Sequence, residues 1–173
     1  MVEIFLFVLL LIWLLVCMLY DLRFRQLPMW LTLIPLGIAG VIAVFTGGWV
    51  LAGLAACLII ISDVEPRERR LAFATVAAVF AAIFDPTMLV MIAALLIIWL
   101  LWEAGAMGGA DAKLLMVLGL ILQQPIIFLF IALAGGAQGI TALMLHKKDI
   151  PYIVAIFAGS SLFTLNSLVL KIF

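Results

Sequence analysis

The chain is poor in charge, in histidine and in cysteine. Only 10% of its 173 residues are Asp, Glu, Lys or Arg, whereas soluble domains carry about 25%. Its two cysteines, Cys17 and Cys57, lie in apolar stretches and form no CxxC pattern, which argues against a structural disulfide or a zinc site. No run of basic residues of the kind that binds nucleic acid is present. We therefore expect neither a metal site nor a nucleic-acid partner.

Apolar residues take the place of charge. They make up 69% of the chain, against about 45–50% in soluble domains, and so small a chain cannot bury this much apolar surface within itself. Lipid must cover the remainder, so the sequence predicts an integral membrane protein. The apolar runs are long and unbroken, as in transmembrane helices. We predict an all-α, polytopic transmembrane helix bundle that forms a single membrane-embedded domain over residues 1–173, with no soluble domain.

Short polar or Gly/Pro breaks divide the chain into eight apolar segments. They lie near residues 2–20, 30–46, 49–62, 71–84, 87–103, 112–124, 126–145 and 151–171. The first lacks a basic flank and is too long for the core of a signal peptide, so we expect it to be a retained helix. Several segments are shorter than the roughly 20 residues that cross a bilayer comfortably. Eight spans are predicted, and six remain open if one hairpin is re-entrant or lies along the surface.

The basic residues are distributed unevenly between the two sides of this layout. With eight spans, eight of the nine Lys and Arg residues fall on one side. They are Arg23, Arg25, Arg67, Arg69, Arg70, Lys113, Lys147 and Lys148. Only Lys171 falls on the other side. The positive-inside rule makes the crowded side cytoplasmic, so both termini are predicted to be non-cytoplasmic.

Two aspartates stand where apolar segments meet polar breaks. Asp21 ends the first segment and Asp111 opens a later one, and the layout places both on the cytoplasmic side. An ionisable side chain at membrane depth marks a functional site by default. Taken singly, Asp21 fits an acid paired with Arg23 or Arg25, and Asp111 fits a helix N-cap. Taken together, two aspartates that share a proton can activate water for peptide hydrolysis.

The second aspartate follows a run of small residues. Gly108, Gly109 and Ala110 precede Asp111, and without bulky side chains a substrate backbone can approach its carboxylate closely. The whole block, Met107–Leu114, resembles the GxGD signature of the type IV prepilin peptidases and the archaeal preflagellin (prearchaellin) peptidases. These are aspartic proteases embedded in the cytoplasmic membrane.

Further landmarks extend the resemblance along most of the chain. The segment Asp21–Pro28 is similar to the family's first-aspartate motif, in which basic residues and an aliphatic-Pro pair follow the acid. Ile150–Tyr152 resembles the Pro-aromatic start of the family's last helix. Gly119 and the cluster Gly135–Gly139 fall where the family has small residues for close helix packing.

The chain departs from the family pattern at two motif positions. Ala110 replaces the second Gly of the strict signature, and Met29 stands where an Asn or Asp often follows the proline. The stretch 71–103 is longer than the family usually places between its aspartates. The Cys-rich methyltransferase domain of the bifunctional bacterial enzymes has no counterpart here, so N-methylation of the trimmed subunit is not implied.

The resemblance implies a membrane-embedded aspartic endopeptidase whose catalytic dyad is Asp21 and Asp111, with no metal, no other cofactor and no covalent intermediate. The other motif positions, which admit the substrate, are Gly108, Gly109, Ala110, Lys113 and Pro28. Lys113 either orients Asp111 or snorkels to the lipid headgroups. The implied substrate is a precursor pilin-like or archaellin-like subunit, which loses a short basic leader on the cytoplasmic side of the cell membrane.

Two other functions stay open from the residues alone. A small proton- or cation-coupled transporter or channel subunit could use both acids, although transporters often show inverted repeats with broken helices at the midplane, and no repeat is visible. A structural subunit whose acids cap helices is the third reading. Glu103 is a rival acid near Asp111, His146 is interpreted as interfacial, and the charged segment 63–70 is interpreted as a solvated cytoplasmic loop.

Overall fold

The computed structural model describes residues 2–144 and 151–172. These residues form eight α-helices joined by short turns, and no β-strand occurs in the same ranges. In chain order the helices are α1 (Val2–Phe24), α2 (Met29–Phe45), α3 (Trp49–Ile61), α4 (Arg67–Phe84), α5 (Leu89–Glu103), α6 (Gly109–Leu122), α7 (Ile126–Met144) and α8 (Tyr152–Ile172). The predicted all-α fold is confirmed. Each predicted apolar segment corresponds to one helix, and every observed end lies within four residues of the predicted one.

Among the residues that the structure describes, two helical stretches are long and apolar enough to cross a membrane by length and composition. They are Phe5–Phe24 in α1 and Pro86–Glu103, which comprises a 3-10 turn and α5. Shorter apolar stretches lie in α2, α3, α7 and α8, over Met29–Phe45, Trp49–Ile61, Ile126–Thr141 and Tyr152–Ser167. Helix α3, for example, has 13 residues and extends about 20 Å at 1.5 Å per residue, against a hydrocarbon core of about 30 Å. The eight-span layout and the non-cytoplasmic termini therefore stay predictions.

The helices divide into two compact units. The first unit comprises Met1–Leu31 and Ile126–Phe173, and it contains α1, α7 and α8. The second unit comprises Thr32–Pro125, and it contains most of α2 together with α3, α4, α5 and α6. Asp21 belongs to the first unit and Asp111 to the second.

In the first unit, α8 packs against both α7 and α1. The contact with α7 is close because Gly159 has no side chain. A Cβ atom at this position would lie 2.5 Å from the Cα atom of Ile131. Next to this contact, the ring of Phe163 lies 6.0 Å from that of Phe130 and 6.5 Å from that of Phe7, measured between centroids. Gly159 thus admits the backbone of α7, and Phe163 contacts a ring of each neighbouring helix.

The glycines predicted to mediate close packing do so only in part. A Cβ atom at Gly135 would lie 3.3 Å from the ring of Tyr152, so this glycine does admit a neighbour. Gly136 and Gly139 have nothing within 4 Å of such an atom and are exposed. Gly159, which makes the closest approach in this unit, is not among the predicted packing positions.

A proline inside α2 explains the position of Trp13. Pro35 lies within the helix, and because proline has no N–H it cannot donate to the carbonyl oxygen of Leu31, four residues earlier. The indole Nε1 of Trp13, on α1, donates to that oxygen at 3.3 Å. A side chain from α1 thus supplies the donor that α2 lacks, as is common where proline interrupts a helix in an apolar environment.

In the second unit, α3 packs against α4 and α5, and α5 packs against α6. Helix α6 is the most buried element near the motif, because Ala112 and every residue in Leu114–Leu120 are buried. Asp111 lies in the first turn of this helix. The fold therefore places this aspartate at the start of a core helix, next to the end of α5.

Candidate active site

Asp21 lies in the last turn of α1 and is half-buried. The backbone N–H of Arg25 donates to the carbonyl oxygen of Asp21 at 2.8 Å. Arg25 has a left-handed backbone with a φ of 55°, so the helix ends at Phe24, three residues after the acid. Arg23 is engaged elsewhere, since its guanidinium carbon lies 5.5 Å from the ring centroid of Phe24. Within the described part of the chain, neither arginine forms an ion pair with the Asp21 carboxylate within 4.0 Å.

Pro28 lies directly before α2. Its carbonyl oxygen accepts the backbone N–H of Leu31 at 3.0 Å, so Pro28 receives the first hydrogen bond of the helix that begins at Met29. Proline suits this position because its backbone is already restricted and its missing N–H would have no partner in a helix start. This is the local role that the structure gives to the proline of the first-aspartate motif.

The turn that leads to Asp111 is set by the end of α5. The N–H of Gly105 donates to the carbonyl oxygen of Trp102 at 2.9 Å, and the N–H of Ala106 donates to that of Leu101 at 2.9 Å. This pair of bonds is a Schellman motif, which places a left-handed residue just after the helix. Gly105 has a φ of 70°, which glycine adopts without steric cost. The chain is thereby turned toward Gly108 and α6.

Asp111 is the third residue of α6 and is not the residue that caps it. The N-cap is Gly108, which has extended backbone and no side chain to form a capping bond. The carboxylate of Asp111 folds back toward this residue, because a Cβ atom at Gly108 would lie 3.2 Å from its Oδ2 atom. The first turn of a helix favours negative charge. Gly108 therefore leaves the space that the carboxylate occupies.

Gly109 has a different reason to be glycine. A Cβ atom at this position would lie 2.9 Å from the indole Nε1 atom of Trp102 and 3.1 Å from its Cε2 atom. The same ring lies under the Lys113 ammonium, whose Nζ atom is 5.5 Å from a ring centroid of Trp102. The side chain of Trp102 thus contacts two residues of α6 that are four positions apart. Lys113, predicted either to orient Asp111 or to snorkel, interacts with this tryptophan.

Glu103 is part of a polar cluster at the ends of α3, α4 and α5. Its Oε2 atom lies 3.3 Å from the Nε atom of Arg70, and only 7% of its side chain is exposed. Arg70 also donates through its Nη1 atom to the carbonyl oxygen of Ser62 at 2.9 Å. The Ser62 hydroxyl in turn accepts the indole Nε1 of Trp99 at 2.9 Å. Glu103 is therefore the acid of a buried ion pair, which argues against it as a rival to Asp111.

The charged segment 63–70 is mostly solvated, as predicted. Asp63, Glu65 and Arg67 are exposed, as are Glu68 and Arg69. Arg70 is the exception because its side chain contacts Glu103. The sequence predicts a loop over the whole segment, but its residues from Arg67 onward form the first turn of α4. The predicted interfacial residue His146 and its neighbours Lys147 and Lys148 lie outside the described residues. Within the described ranges, no three His, Cys, Asp or Glu side chains come together as a metal site would require.

Comparison with protein-family models gives a match over residues 8–165, to the type IV leader peptidase family. The chain belongs to the type IV leader peptidase family. The family predicted from the GxGD-like block is thereby confirmed. The matched range begins in α1, ends in α8 and includes both Asp21 and Asp111. No significant match was found among curated proteins or among solved structures.

Family membership makes this protein a membrane-associated peptidase of the kind that processes prepilin-type substrates. The roles of individual residues do not follow from the match alone. Asp21 and Asp111 lie in different units, so the pairing of their carboxylates belongs to the proposed function. Substrate approach along Gly108, Gly109 and Ala110 also belongs to the proposed function. Of these three residues, Ala110 is half-buried.

Proposed function

We propose that this protein is a membrane-embedded aspartic endopeptidase. It removes the short basic leader from precursor pilin-like or archaellin-like subunits, at the cytoplasmic face of the cell membrane. The observation that carries the proposal is the family match over residues 8–165, because it includes two helix ends that each carry a half-buried aspartate. Asp21 lies in the last turn of α1, and Asp111 lies in the first turn of α6.

The order of the helices supports a shared face for the two acids. Asp21 lies at the C-terminal end of the first helix, and Asp111 lies at the N-terminal end of the sixth helix. If successive helices cross the membrane in alternate directions, the end of an odd-numbered helix and the start of an even-numbered helix face the same side. The distribution of Lys and Arg makes that side cytoplasmic.

The proposed reaction is hydrolysis by a pair of carboxyl groups that share one proton. The ionised aspartate takes a proton from water, and the resulting hydroxide attacks the scissile carbonyl carbon. The protonated aspartate donates a hydrogen bond to the carbonyl oxygen, where negative charge develops. The aspartate that took the proton from water passes it to the leaving nitrogen, the C–N bond breaks, and the dyad returns to its one-proton state. Neither a metal nor a covalent intermediate takes part.

Several charged side chains near the two acids have partners of their own. Glu103, the other acid near the motif, is held by Arg70, and Lys113 interacts with Trp102. Arg23 interacts with Phe24. For Asp21, neither Arg23 nor Arg25 lies within the 4.0 Å of an ion pair with the carboxylate. This supports the proposal, because an acid whose charge was fixed by such a pair would be a poor member of a dyad that must exchange a proton.

The experiment is cleavage of a precursor with a short basic leader and an apolar helix by the purified protein in detergent. We expect one cut at the leader junction, identified by mass spectrometry, and a rate unaffected by EDTA. Asp21→Asn and Asp111→Asn should each lower the cleavage rate by about 10²–10⁴-fold, the usual contribution of general acid–base catalysis.

The matched control is Asp63→Asn, because Asp63 is an exposed acid of the second unit. It should cleave at the wild-type rate. Normal cleavage by either dyad variant would refute the proposed mechanism. Loss of activity in EDTA would instead indicate a metal-dependent peptidase.

A further inference from the structure

The last turn of α5 contacts the helices on both sides of it. Glu103 forms the ion pair with Arg70 of α4, with 3.3 Å between Oε2 and Nε. The adjacent residue, Trp102, contacts Gly109 and Lys113 of α6. One turn of helix thus joins α4 to the first turn of α6, which carries the aspartate of the motif.

The contact between Trp102 and Gly109 is closer than any larger residue would permit. A Cβ atom at Gly109 would lie 2.9, 3.1 and 3.3 Å from three atoms of the indole. Real Cβ atoms almost never lie under 3.0 Å from a neighbour, so an alanine here would have to displace the ring or the start of α6. Because the indole is also under the Lys113 ammonium, it is confined on two sides.

This contact lies on the face of α6 away from the aspartate. Successive residues of an α-helix are rotated by roughly 100°, so Gly109 and Lys113, four positions apart, share a face. Asp111 is two positions from each and is rotated by roughly 200°. Trp102 therefore holds the first turn of α6 from the side opposite the carboxylate.

We propose that Trp102 is a positioning residue for Asp111, and that residue 109 is glycine because the indole occupies the place of its side chain. The inference rests on the proposed function, in which Asp111 is one half of the dyad. It differs from the expectation drawn from the motif, in which Gly109 makes room for the substrate backbone. The two accounts predict different behaviour when Trp102 is made smaller.

The test is a double-mutant cycle on precursor cleavage, with Gly109→Ala, Trp102→Leu and the two combined. Gly109→Ala alone should lower kcat by about 10- to 100-fold, the cost of a displacement of about 1 Å at a catalytic group, with KM little changed. In the Trp102→Leu protein, the added Gly109→Ala change should alter kcat by no more than about twofold, the usual error of additivity. If Gly109→Ala costs the same factor in both proteins, the inference is wrong.

Thermal unfolding separates positioning from general damage. Gly109→Ala and Trp102→Leu should keep the unfolding temperature within a few degrees of the wild type while kcat falls. A loss of kcat only in proportion to the folded fraction would overturn the inference. If Trp102→Leu does not fold, Trp102→Phe takes its place in the cycle, because it shortens the ring and keeps an apolar side chain. Gly136→Ala is the control, since Gly136 has open space around it.

The same assay distinguishes failure of this inference from failure of the proposed function. If the wild type does not cleave the precursor, both are refuted. If the wild type cleaves, Asp111→Asn does not, and the Gly109→Ala cost is independent of Trp102, only the positioning role is refuted.

Discussion

At the scale of single residues, the absence of a side chain decides several contacts in this chain. Gly108 leaves space for the Asp111 carboxylate, Gly109 for an indole, and Gly159 for the backbone of a neighbouring helix. Gly136 and Gly139 resemble these glycines in the sequence, and yet a Cβ atom added at either would have nothing within 4 Å. A glycine in an apolar helix is therefore a packing residue only where a neighbour is present.

Gly159→Ala should destabilise the first unit. The added Cβ atom would lie 2.5 Å from the Cα atom and 2.7 Å from the backbone nitrogen of Ile131, and backbone cannot rotate aside as a side chain can. Overpacking of this kind costs about 1–3 kcal/mol. Gly136→Ala should be neutral or stabilise by up to about 1 kcal/mol, because alanine is the better helix former. Thermal unfolding in detergent compares the two, and equal shifts would contradict the packing at Gly159.

Glu103→Gln should destabilise the second unit through the charge that it leaves behind. Removal of one partner of a buried ion pair costs about 3–5 kcal/mol. Because the Arg70 side chain is 24% exposed, the loss should lie at the lower end of that range or below it. Arg70→Met combined with Glu103→Leu should recover most of the stability, since an apolar pair leaves no unpaired charge. If the double variant loses as much stability as Arg70→Met and Glu103→Leu lose together when made singly, the two residues are not coupled.

At the scale of the helix, α1 compensates for a defect in α2. Pro35 deprives the Leu31 carbonyl oxygen of its helical donor, and Trp13 supplies another. Trp13 is the tryptophan that fits an interfacial position least well, since it lies in the middle of α1. The hydrogen bond to Leu31 explains why a tryptophan lies at this position. The hydrophobic pattern of α1 does not predict this contact.

Trp13→Phe should cost about 1–3 kcal/mol of stability, the usual cost of an unpaired buried acceptor. In a Pro35→Ala background the same change should cost less, because the N–H of an alanine at position 35 can donate to Leu31. Trp30→Phe is the matched control, since Trp30 is 61% exposed. Thermal unfolding of the wild type, Trp13→Phe, Pro35→Ala and the double variant measures the coupling between Trp13 and Pro35. An equal cost of Trp13→Phe in both backgrounds would refute the compensation.

The sequence allows the helices to be placed but not their partners. Breaks at Thr46–Gly48, Asp85–Pro86 and Gln123–Pro125 mark the ends of helices closely, because Gly, Pro and polar residues interrupt apolar runs. Contacts such as that between Trp102 and Gly109 leave no such trace. These helices are apolar on every side, so no polar stripe indicates which face meets a neighbour.

The candidate site can be predicted to a similar degree. The motif residues identify the family, which the match over residues 8–165 confirms. The sequence does not reveal that Glu103 is held by Arg70, since the two are far apart along the chain and Arg70 belongs to a segment that is predicted to be solvated. It also suggests an N-cap role for Asp111, whereas Gly108 occupies the cap position. The first difference arises from a contact between α4 and α5. The second arises from the geometry of the first turn of α6.

At the scale of the whole molecule, the central claim is that Asp21 and Asp111 act together on one water molecule. They come from separate units and from helix ends that are distant in the sequence, and their common cytoplasmic face is part of the proposal. Two groups that act as a unit have a kinetic property that two independent groups lack. Once one is removed, removal of the other costs little more.

The measurement that tests this claim most directly is the single-turnover rate of leader removal by Asp21→Asn, Asp111→Asn and the double variant. We predict that the three residual rates agree within about threefold, each at least about 10²-fold below the wild type. The account is contradicted if either single variant cleaves at the wild-type rate. It is equally contradicted if the double variant shows the product of two independent losses.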